Sequence, residues 1–355
     1  MMRRRFLLAG AAALAGCATA EAPATAQTQA APSRLPPPAP APARPAPPEQ
    51  AAPARPFAAF LRDIRAEARA GGVSDRTLDA ALSGLEPVPR VLELDRRQPE
   101  FTVTFAQYRE RQVTAQRIAR GQALKREHAA LLASIERQHR VPADIVLAIW
   151  GIETNFGTIT GGFNVVAALA TLAWDGRRAA FFRRELLAAL RILEAGHVRP
   201  AAMRGSWAGA MGHPQFMPTS FERFAVDQDG DGRRDIWGSR ADALASIANY
   251  LARNGWQAGE SWGREVRLPP RFDASGVSRE TTRPLSAWAR AGVRAADGRP
   301  LPSSTIAAGM VLPDGAAGAA FAVYRNFNAI RRYNPSNFYA LSVGLIADGI
   351  GGRGG

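Results

Sequence analysis

Segments with the spacing of amphipathic helices fill most of the chain after residue 56, and this pattern constrains the fold more than any other feature. Apolar residues that recur every three or four positions are typical of helices with one buried face. They predict helices over residues 56–70, 75–82, 142–152, 164–174, 178–195, 240–254 and 335–347, with long helical periodicity over 101–139. Strand-like stretches are limited to 264–268 and a pair around Pro313-Asp314-Gly315. The sequence predicts a mainly α (α+β) fold with a small β element late in the chain.

The amino terminus has the organisation of an export signal. Three arginines at positions 3–5 precede an apolar run over residues 6–15, which is too short to cross a bilayer as a stable helix. The run ends in Leu14-Ala15-Gly16-Cys17, which resembles the lipobox of bacterial lipoproteins, and Cys17 is the only cysteine in the chain. In that resemblance the cysteine becomes the lipid-modified first residue, and Ala18 after it favours the outer membrane. We therefore expect a lipid-anchored periplasmic protein, with general and twin-arginine export both left open.

Residues 18–56 consist largely of Ala, Pro and Gln, with almost no aromatic or branched apolar side chain. Such a composition cannot offset the entropy lost on ordering, so it predicts a semi-extended tether. The remaining chain is long enough, at 46% hydrophobic residues overall, to bury a sizeable core. We divide the sequence into a signal (1–17), a tether (18–56), a catalytic domain (57–350) and a Gly-rich tail (351–355).

The formal net charge of +14 favours anionic partners. Nucleic acid, anionic lipid and a wall polymer with lactyl and peptide carboxylates all meet this condition. The arginines are spread over nearly every segment instead of forming one block interleaved with aromatic residues. Nucleic acid is therefore not expected as a partner.

Glu153 is the first candidate for chemistry. It closes the helix predicted after Pro142 and lies among Trp150, Ile152 and Phe156. Partial desolvation by these apolar side chains would raise the pKa of its carboxyl group and keep it protonated near neutrality. A general acid for glycosidic cleavage needs this property, although a surface carboxylate at a helix end would give the same local sequence.

A second candidate segment, residues 205–221, combines three glycines and two prolines with Met, Phe and Trp. This composition indicates a close-packed loop that lines a cleft or faces the core. The sequences Gly-Ile-Glu-Thr at 151–154, Ala-Gly-Ala-Met-Gly at 208–212, Gln-Phe-Met-Pro at 215–218, Asn249-Tyr250 and Arg332-Tyr333-Asn334 resemble the lytic murein transglycosylase B family. The similarity runs from about residue 56 to the end of the chain. His213-Pro214 stands where relatives often have Tyr-Gly.

The resemblance implies a lysozyme-like α domain that cleaves the β-1,4 bond between N-acetylmuramic acid and N-acetylglucosamine without water. It implies that Glu153 protonates the leaving oxygen and then, as a carboxylate, takes the proton of the muramic C6 hydroxyl, which closes a 1,6-anhydro ring. Ser206 would hydrogen-bond Glu153. Contacts to the sugar or the developing charge would come from Gln215, Tyr250, Tyr333, Asn334 and Tyr339. From the residues alone, Asn334 could instead be a helix N-cap, Ser206 a turn cap, and the tyrosines packing residues.

The segment 227–235 resembles the first part of an EF-hand loop. Asp227, Asp229 and Asp231 stand at positions 1, 3 and 5, with Gly at position 6 and Arg233 at position 7, where EF-hands use a backbone carbonyl. Position 12 is Gly238 instead of the usual bidentate Glu, so Asp242 would have to supply that ligand. We expect a structural Ca²⁺ here, the alternative being an acidic surface turn. No cofactor is expected for catalysis.

Other chemistries find no support in the sequence. The four histidines lack zinc-site spacing, and neither a Gly-x-Ser-x-Gly elbow nor a Gly-Lys-Ser phosphate loop occurs. Asp175 is the candidate for a second carboxylate, although it fits a helix end better. The leading hypothesis is a lytic transglycosylase acting on peptidoglycan glycan strands, with other cell-wall enzymes as candidate partners. A hydrolytic muramidase and a non-catalytic, calcium-stabilised wall-binding lipoprotein remain the alternatives.

Overall fold

The structure, a computed structural model, describes residues 55–97 and 103–352. The helices of this part are α1 (Phe57–Ala70), α2 (Asp75–Leu82), α3 (Pro89–Arg96), α4 (Phe105–Gln112), α5 (Ala115–Glu127), α6 (Ala129–His139), α7 (Ala143–Thr154), α8 (Val165–Asp175), α9 (Ala179–Glu194), α10 (Pro218–Phe224), α11 (Arg240–Arg253), α12 (Leu285–Arg290), α13 (Arg325–Tyr333) and α14 (Asn337–Ile350). The strands are β1 (Phe163–Asn164), β2 (Arg204–Gly205), β3 (Gly263–Arg267), β4 (Arg283–Pro284), β5 (Arg294–Ala295), β6 (Ala307–Val311) and β7 (Ala320–Val323). The signal with Cys17, nearly all of the tether and residues 353–355 of the tail lie outside the described residues.

The predicted helices of the first half are present, and local capping explains their bounds. Ser74 accepts a hydrogen bond from the Thr77 N–H and starts α2, as the sequence predicts. The described part of the long periodic segment, residues 103–139, forms three helices. Thr104 starts α4 with a capping box, and Thr114 caps α5. Each threonine favours a new helix start over continuation of the preceding one.

The hydrophobic core has two large clusters. Helix α7 is buried along nearly its whole length and packs against α5, α11 and α14 in the first cluster. Helices α8 and α9 pack against each other and against α1 and α2 in the second. Tyr250 and Tyr333 contact both clusters. The junction between the clusters therefore lies where the sequence predicts substrate-binding tyrosines.

A small antiparallel sheet late in the chain completes the architecture. Its strand order is β4-β6-β7-β3-β5, and β6 and β7 form the predicted hairpin around Pro313-Asp314-Gly315. The carboxylate of Asp314 accepts the N–H groups of Phe105 and Ala106 at 2.7 and 3.0 Å, which fixes the hairpin to the start of α4. The predicted mainly α fold with a small β element is confirmed. Within the described ranges, no helix is both long and apolar enough to cross a membrane.

Candidate active site

Glu153 lies in the last turn of α7, directly before a sharp reversal of the chain. Asn155, Phe156 and Gly157 all have left-handed backbone conformations, with φ of 48°, 59° and 82°. The Phe156 ring folds back over Gly151, where an added Cβ would lie 2.8 Å from the ring. Two consecutive non-glycine residues in this region carry conformational strain, which proteins tolerate mainly at functional sites. The strained reversal thus directly follows the helical turn that carries Glu153.

Burial dominates the electrostatics of Glu153. It raises the pKa of the carboxyl group to about 7, while a hydrogen bond from the Tyr339 hydroxyl acts in the opposite direction. The Tyr339 O–H donates to Glu153 Oε1 at 2.7 Å, and Tyr339 itself is 2% exposed. Glu153 keeps partial contact with solvent. The carboxyl group can therefore be protonated or ionised near neutral pH.

Three tyrosines, Tyr250, Tyr333 and Tyr339, form what we call the tyrosine wall beside Glu153. The Tyr250 and Tyr333 rings lie 4.7 Å apart, and their hydroxyls donate to the carbonyl oxygens of Arg332 and Pro214, both at 2.6 Å. Burial raises the pKa of Tyr333 and Tyr339 well above the usual value, and the negative charge of Glu153 adds to this effect. The structure therefore brings all three predicted tyrosines together in one region.

Tyr108 is a site residue that the sequence analysis did not single out. Burial raises the pKa of its hydroxyl, with a further contribution from the charge of Glu153, so the two groups lie near each other. Its ring packs 5.8 Å from that of Phe338, the neighbour of Tyr339. Tyr108 lies in a polar stretch of α4 and belongs to no recognised motif. Only tertiary packing places it at the site.

The loop 205–221 packs closely, as predicted, because Met211 and Phe216 are buried and bridge each other as a short antiparallel pair. Two of its side chains make hydrogen bonds to backbone groups. Among the hydrogen bonds of the described residues, Ser206 Oγ accepts the Ala210 N–H at 3.0 Å and makes none with Glu153. Gln215 donates its amide N–H to the carbonyl oxygens of Gly212 and Thr160 at 2.8 and 3.0 Å. The tight turn gives both side chains local partners.

His213 fastens this loop to the residues that flank Glu153. The Trp150 indole N–H donates to His213 Nδ1 at 2.9 Å, and the Thr154 hydroxyl lies 3.1 Å from the His213 carbonyl oxygen. Burial lowers the pKa of the imidazole, which favours the neutral form that this acceptor role needs. Gly157 lies against the ring, where an added Cβ would come within 2.2 Å. His213, which stands where relatives often have Tyr, is therefore held by contacts with the residues around Glu153.

Asn334 and Asp175 both lie at helix ends. Asn334 ends α13 and accepts the Ser336 N–H at 3.1 Å, while Ser336 is the N-cap of α14. The N-cap alternative for Asn334 is thus wrong by two residues. Asp175 ends α8 and forms an ion pair with Arg96 at 3.0 Å. It is a helix-end residue, as the sequence favoured.

The acidic loop brings part of the predicted calcium ligand set together. Oxygen atoms of Asp227, Asp229 and Asp242 lie within 4.8 Å of one another. Asp242 is fully buried, and its two oxygens accept the N–H groups of Gln228 and Asp235, each at 2.7 Å. This confirms that Asp242 folds back onto the loop.

Two members of the predicted set lie outside this cluster. Asp231 points to Arg233 instead, in an ion pair of 2.9 Å. A cationic side chain two residues away offers Asp231 a nearer partner than the other carboxylates. The fit to an oxygen-coordinated cation therefore rests on Asp227, Asp229 and Asp242.

Comparisons with known proteins agree with this geometry. The pattern of the transglycosylase SLT domain matches residues 56–348. Membrane-bound lytic murein transglycosylase B of Escherichia coli K12 is 30% identical over 291 residues, which is 79% of each chain.

Solved structures extend the comparison. SltB3 of Pseudomonas aeruginosa, in complex with NAG-anhNAM-pentapeptide, is 49% identical with a TM-score of 0.81 over 84% of this chain and 80% of that chain. The lytic transglycosylase Slt35 of Escherichia coli, in complex with calcium, is 29% identical with a TM-score of 0.69 over 84% of this chain and 93% of that chain. The chain therefore belongs to the transglycosylase SLT domain family of peptidoglycan lytic transglycosylases, and the predicted lysozyme-like fold and lyase-type activity are confirmed.

Proposed function

We propose that Glu153 is the single acid and base with which this lytic transglycosylase cleaves the bond between N-acetylmuramic acid and N-acetylglucosamine. The observation that carries the proposal is the pKa of about 7, caused by burial at the end of α7. At neutral pH the residue exists in both protonation states. A residue that first gives and then takes a proton needs both states.

The reaction uses Glu153 twice. The protonated carboxyl group donates its proton to the glycosidic oxygen, and the bond from this oxygen to the muramic C1 breaks. The resulting carboxylate then accepts the proton of the muramic C6 hydroxyl, whose oxygen attacks C1 and closes the 1,6-anhydro ring. The Tyr339 O–H donates to Glu153 and stabilises its ionised form between the two steps. Glu153 ends the cycle protonated, as it began.

A second carboxylate is not needed, because the attacking hydroxyl belongs to the substrate. Glycosidases that transfer to water pair two carboxyl groups across the bond. Within the described residues, burial alone raises the pKa of Glu153, and no second carboxylate contributes to the shift. Asp175 is engaged with Arg96. This arrangement favours the anhydro product over the hydrolytic muramidase alternative.

We assign substrate contact first to the tyrosine wall, which presents ring surface and ordered hydroxyls beside Glu153. Asn334 follows Tyr333 directly. Its oxygen caps a turn, and its amide N–H₂ makes no hydrogen bond within the described part of the chain, so this group is available to a sugar. Ser206 and Gln215 contribute through the shape of their loop, since their hydrogen bonds hold turns. The ligand of SltB3, NAG-anhNAM-pentapeptide, supports a glycan strand with attached peptides as the substrate.

Replacement of Glu153 by Gln tests the mechanism. We expect Glu153→Gln to lose at least about 10³-fold in the release of anhydromuropeptides from purified sacculi, because neither proton transfer is then available. The matched control is Asp175→Asn, a helix-end carboxylate that should keep activity near that of the wild type. Mass spectrometry separates anhydro from hydrolytic products, which are heavier by one water. Anhydro products from Glu153→Gln, or their loss in Asp175→Asn alone, would contradict a single acid and base at Glu153.

A structural Ca²⁺ held by Asp227, Asp229 and Asp242 is the second part of the proposal. Three carboxylates with converging oxygens suit a hard cation, which would offset their mutual repulsion and stabilise the loop. The calcium complex of the relative Slt35 supports this assignment. We expect the melting temperature to rise in millimolar Ca²⁺ and to fall with chelator, and Asp229→Asn to reduce this response. Identical melting curves under the two conditions would exclude the site.

The envelope location forms the third part. The lipobox-like Cys17 and the Ala/Pro-rich tether suit an enzyme held at the outer membrane that reaches the wall through the periplasm. The relative from Escherichia coli is itself named membrane-bound. We expect the wild type to incorporate labelled palmitate and to sediment with outer membranes, whereas Cys17→Ala should do neither. Other cell-wall enzymes are candidate partners there, and cross-linking in intact cells would identify them.

A further inference from the structure

A cavity of about 340 Å³ lies where α4 and α5 meet the chain reversal after Glu153. Arg111, Arg117 and Arg120 line it together with Asn155, Thr158 and two further uncharged polar residues. No carboxylate is among the lining residues. We call this cavity the arginine pocket.

The positive charge of the arginine pocket is not matched by the protein around it. Within the described ranges, none of its three arginines forms an ion pair, whereas Arg109 on the same helix α4 binds Glu265 at 3.1 Å. Arg117 is held in place by the backbone and side-chain oxygens of Gln112, while its buried Nε lacks a hydrogen-bond partner. Arg117 is partly buried, whereas Arg111 and Arg120 are exposed at the mouth of the pocket. Three neighbouring guanidinium groups without carboxylate partners favour a bound anion.

The arginine pocket adjoins the catalytic residue. Asn155 is two residues after Glu153, so their Cα atoms lie within about 8 Å. Tyr108 lies near both Glu153 and Arg117, because the charges of these two groups shift its pKa in opposite directions. Ile159, next to Thr158, is 68% exposed, the one large apolar side chain with high exposure among the described residues. An anionic substituent on a sugar bound at Glu153 would reach this region.

We propose that the arginine pocket binds the carboxylates of the stem peptide attached to the muramic residue, with Ile159 contacting an alanine methyl group of that peptide. This inference rests on the proposed function. Stem peptides carry several carboxylates and alanine side chains, and a pentapeptide can extend up to about 17 Å from the lactyl group. Guanidinium groups bind carboxylates in bidentate pairs. The pocket would thus distinguish peptide-bearing strands from stripped ones.

A double variant, Arg111→Gln with Arg120→Gln, tests this assignment without disturbing the half-buried Arg117. The substrates are soluble glycan strands that keep their stem peptides and the same strands after complete amidase removal of the peptides. We expect the KM for peptide-bearing strands to rise about tenfold with kcat little changed, because charge-assisted contacts are lost. Kinetics on peptide-free strands should stay at the wild-type level. The matched control is Arg137→Gln, an exposed helical arginine outside the pocket, which should leave both substrates unaffected.

Three outcomes would overturn the proposal. Unchanged KM on peptide-bearing strands would show that the arginines do not bind the peptide. An equal rise in KM on both substrates would mean that the arginines bind the glycan backbone or stabilise the fold. Melting curves of the variant distinguish these two roles. Weaker binding to anionic phospholipid vesicles with unchanged kinetics would assign the pocket to a membrane surface. Activity on peptide-free strands reports on Glu153 independently, so the two proposals can fail separately.

Discussion

Glu153 and Asp242 are both carboxylates shielded from water, but they differ in the number and kind of hydrogen-bond donors that they receive. Asp242 is fully buried and accepts two backbone N–H groups, from Gln228 and Asp235. Glu153 receives one hydrogen bond, from the side-chain hydroxyl of Tyr339. Burial raises the pKa of both groups, but only at Asp242 do backbone donors oppose it.

The comparison separates a carboxylate that holds structure from one that is available for chemistry. Backbone donors remain in place whatever the protonation state of the carboxyl group. At Asp242 they stabilise the ionised form and hold the acidic loop against α11. A single side-chain donor leaves Glu153 near balance between its two forms. The number and origin of the donors, more than burial itself, distinguish the two roles.

The largest effect is expected at Asp242. Asp242→Ala leaves two partly buried N–H groups without acceptors and removes a buried side chain, which should reduce the free energy of unfolding by about 3 kcal/mol. Urea titration followed by circular dichroism measures this change. The control is Asp231→Asn in the same loop, whose exposed carboxylate pairs only with Arg233, and which should unfold like the wild type. Equal losses in the two variants would remove the distinction drawn here.

Asp242→Ala should lower the free energy of unfolding, whereas Glu153→Gln should raise it at alkaline pH. The pKa of Glu153 rises from 4.5 to about 7 on folding. The free energy of unfolding is therefore unaffected by this group below pH 4.5, and it falls as the pH rises from 4.5 through about 7. Gln avoids this loss, and we expect the variant to exceed the wild type by about 2 kcal/mol at pH 8.5. The difference should vanish at pH 4. A pH-independent difference would mean that burial of the charge is not the cause.

Tyr339→Phe should produce the smallest effect. In the wild type, kcat/KM should fall above about pH 7 as Glu153 loses the proton that it donates. The Tyr339 hydroxyl stabilises the carboxylate form by about 1 kcal/mol, so its removal should move this limb to higher pH by about 0.7 pH unit. A pH profile of kcat/KM for wild type and variant measures the shift. A limb moved to lower pH would contradict the assigned hydrogen bond.

The helices were predictable because their signals are local. The bounds of α2 and its Ser74 cap follow from neighbouring residues, as does the hairpin of β6 and β7 around Pro313-Asp314-Gly315. The three-helix division of 101–139 was missed, because periodicity continues across caps such as Thr114. Short strands such as β1 and β2 exist only through pairing with each other, and no local pattern announces them.

The site residues that belong to a recognised motif were predictable. Residues outside any motif that only tertiary packing brings to the site were not. Glu153 and the tyrosine wall were found, since the family resemblance names them. Tyr108 was missed, because a tyrosine in a polar helix carries no signal until that helix is placed. Ser206 was expected at Glu153, but the choice between a partner across the site and one in its own turn depends on distances that sequence does not contain.

The position of Tyr250 and Tyr333 between the two core clusters has a consequence for the timing of activity. Each ring needs both clusters to be packed before its position is defined. A folding intermediate with only one cluster formed would carry Glu153 without an ordered surface to receive sugar. Cell-wall cleavage would then begin only when both clusters are packed.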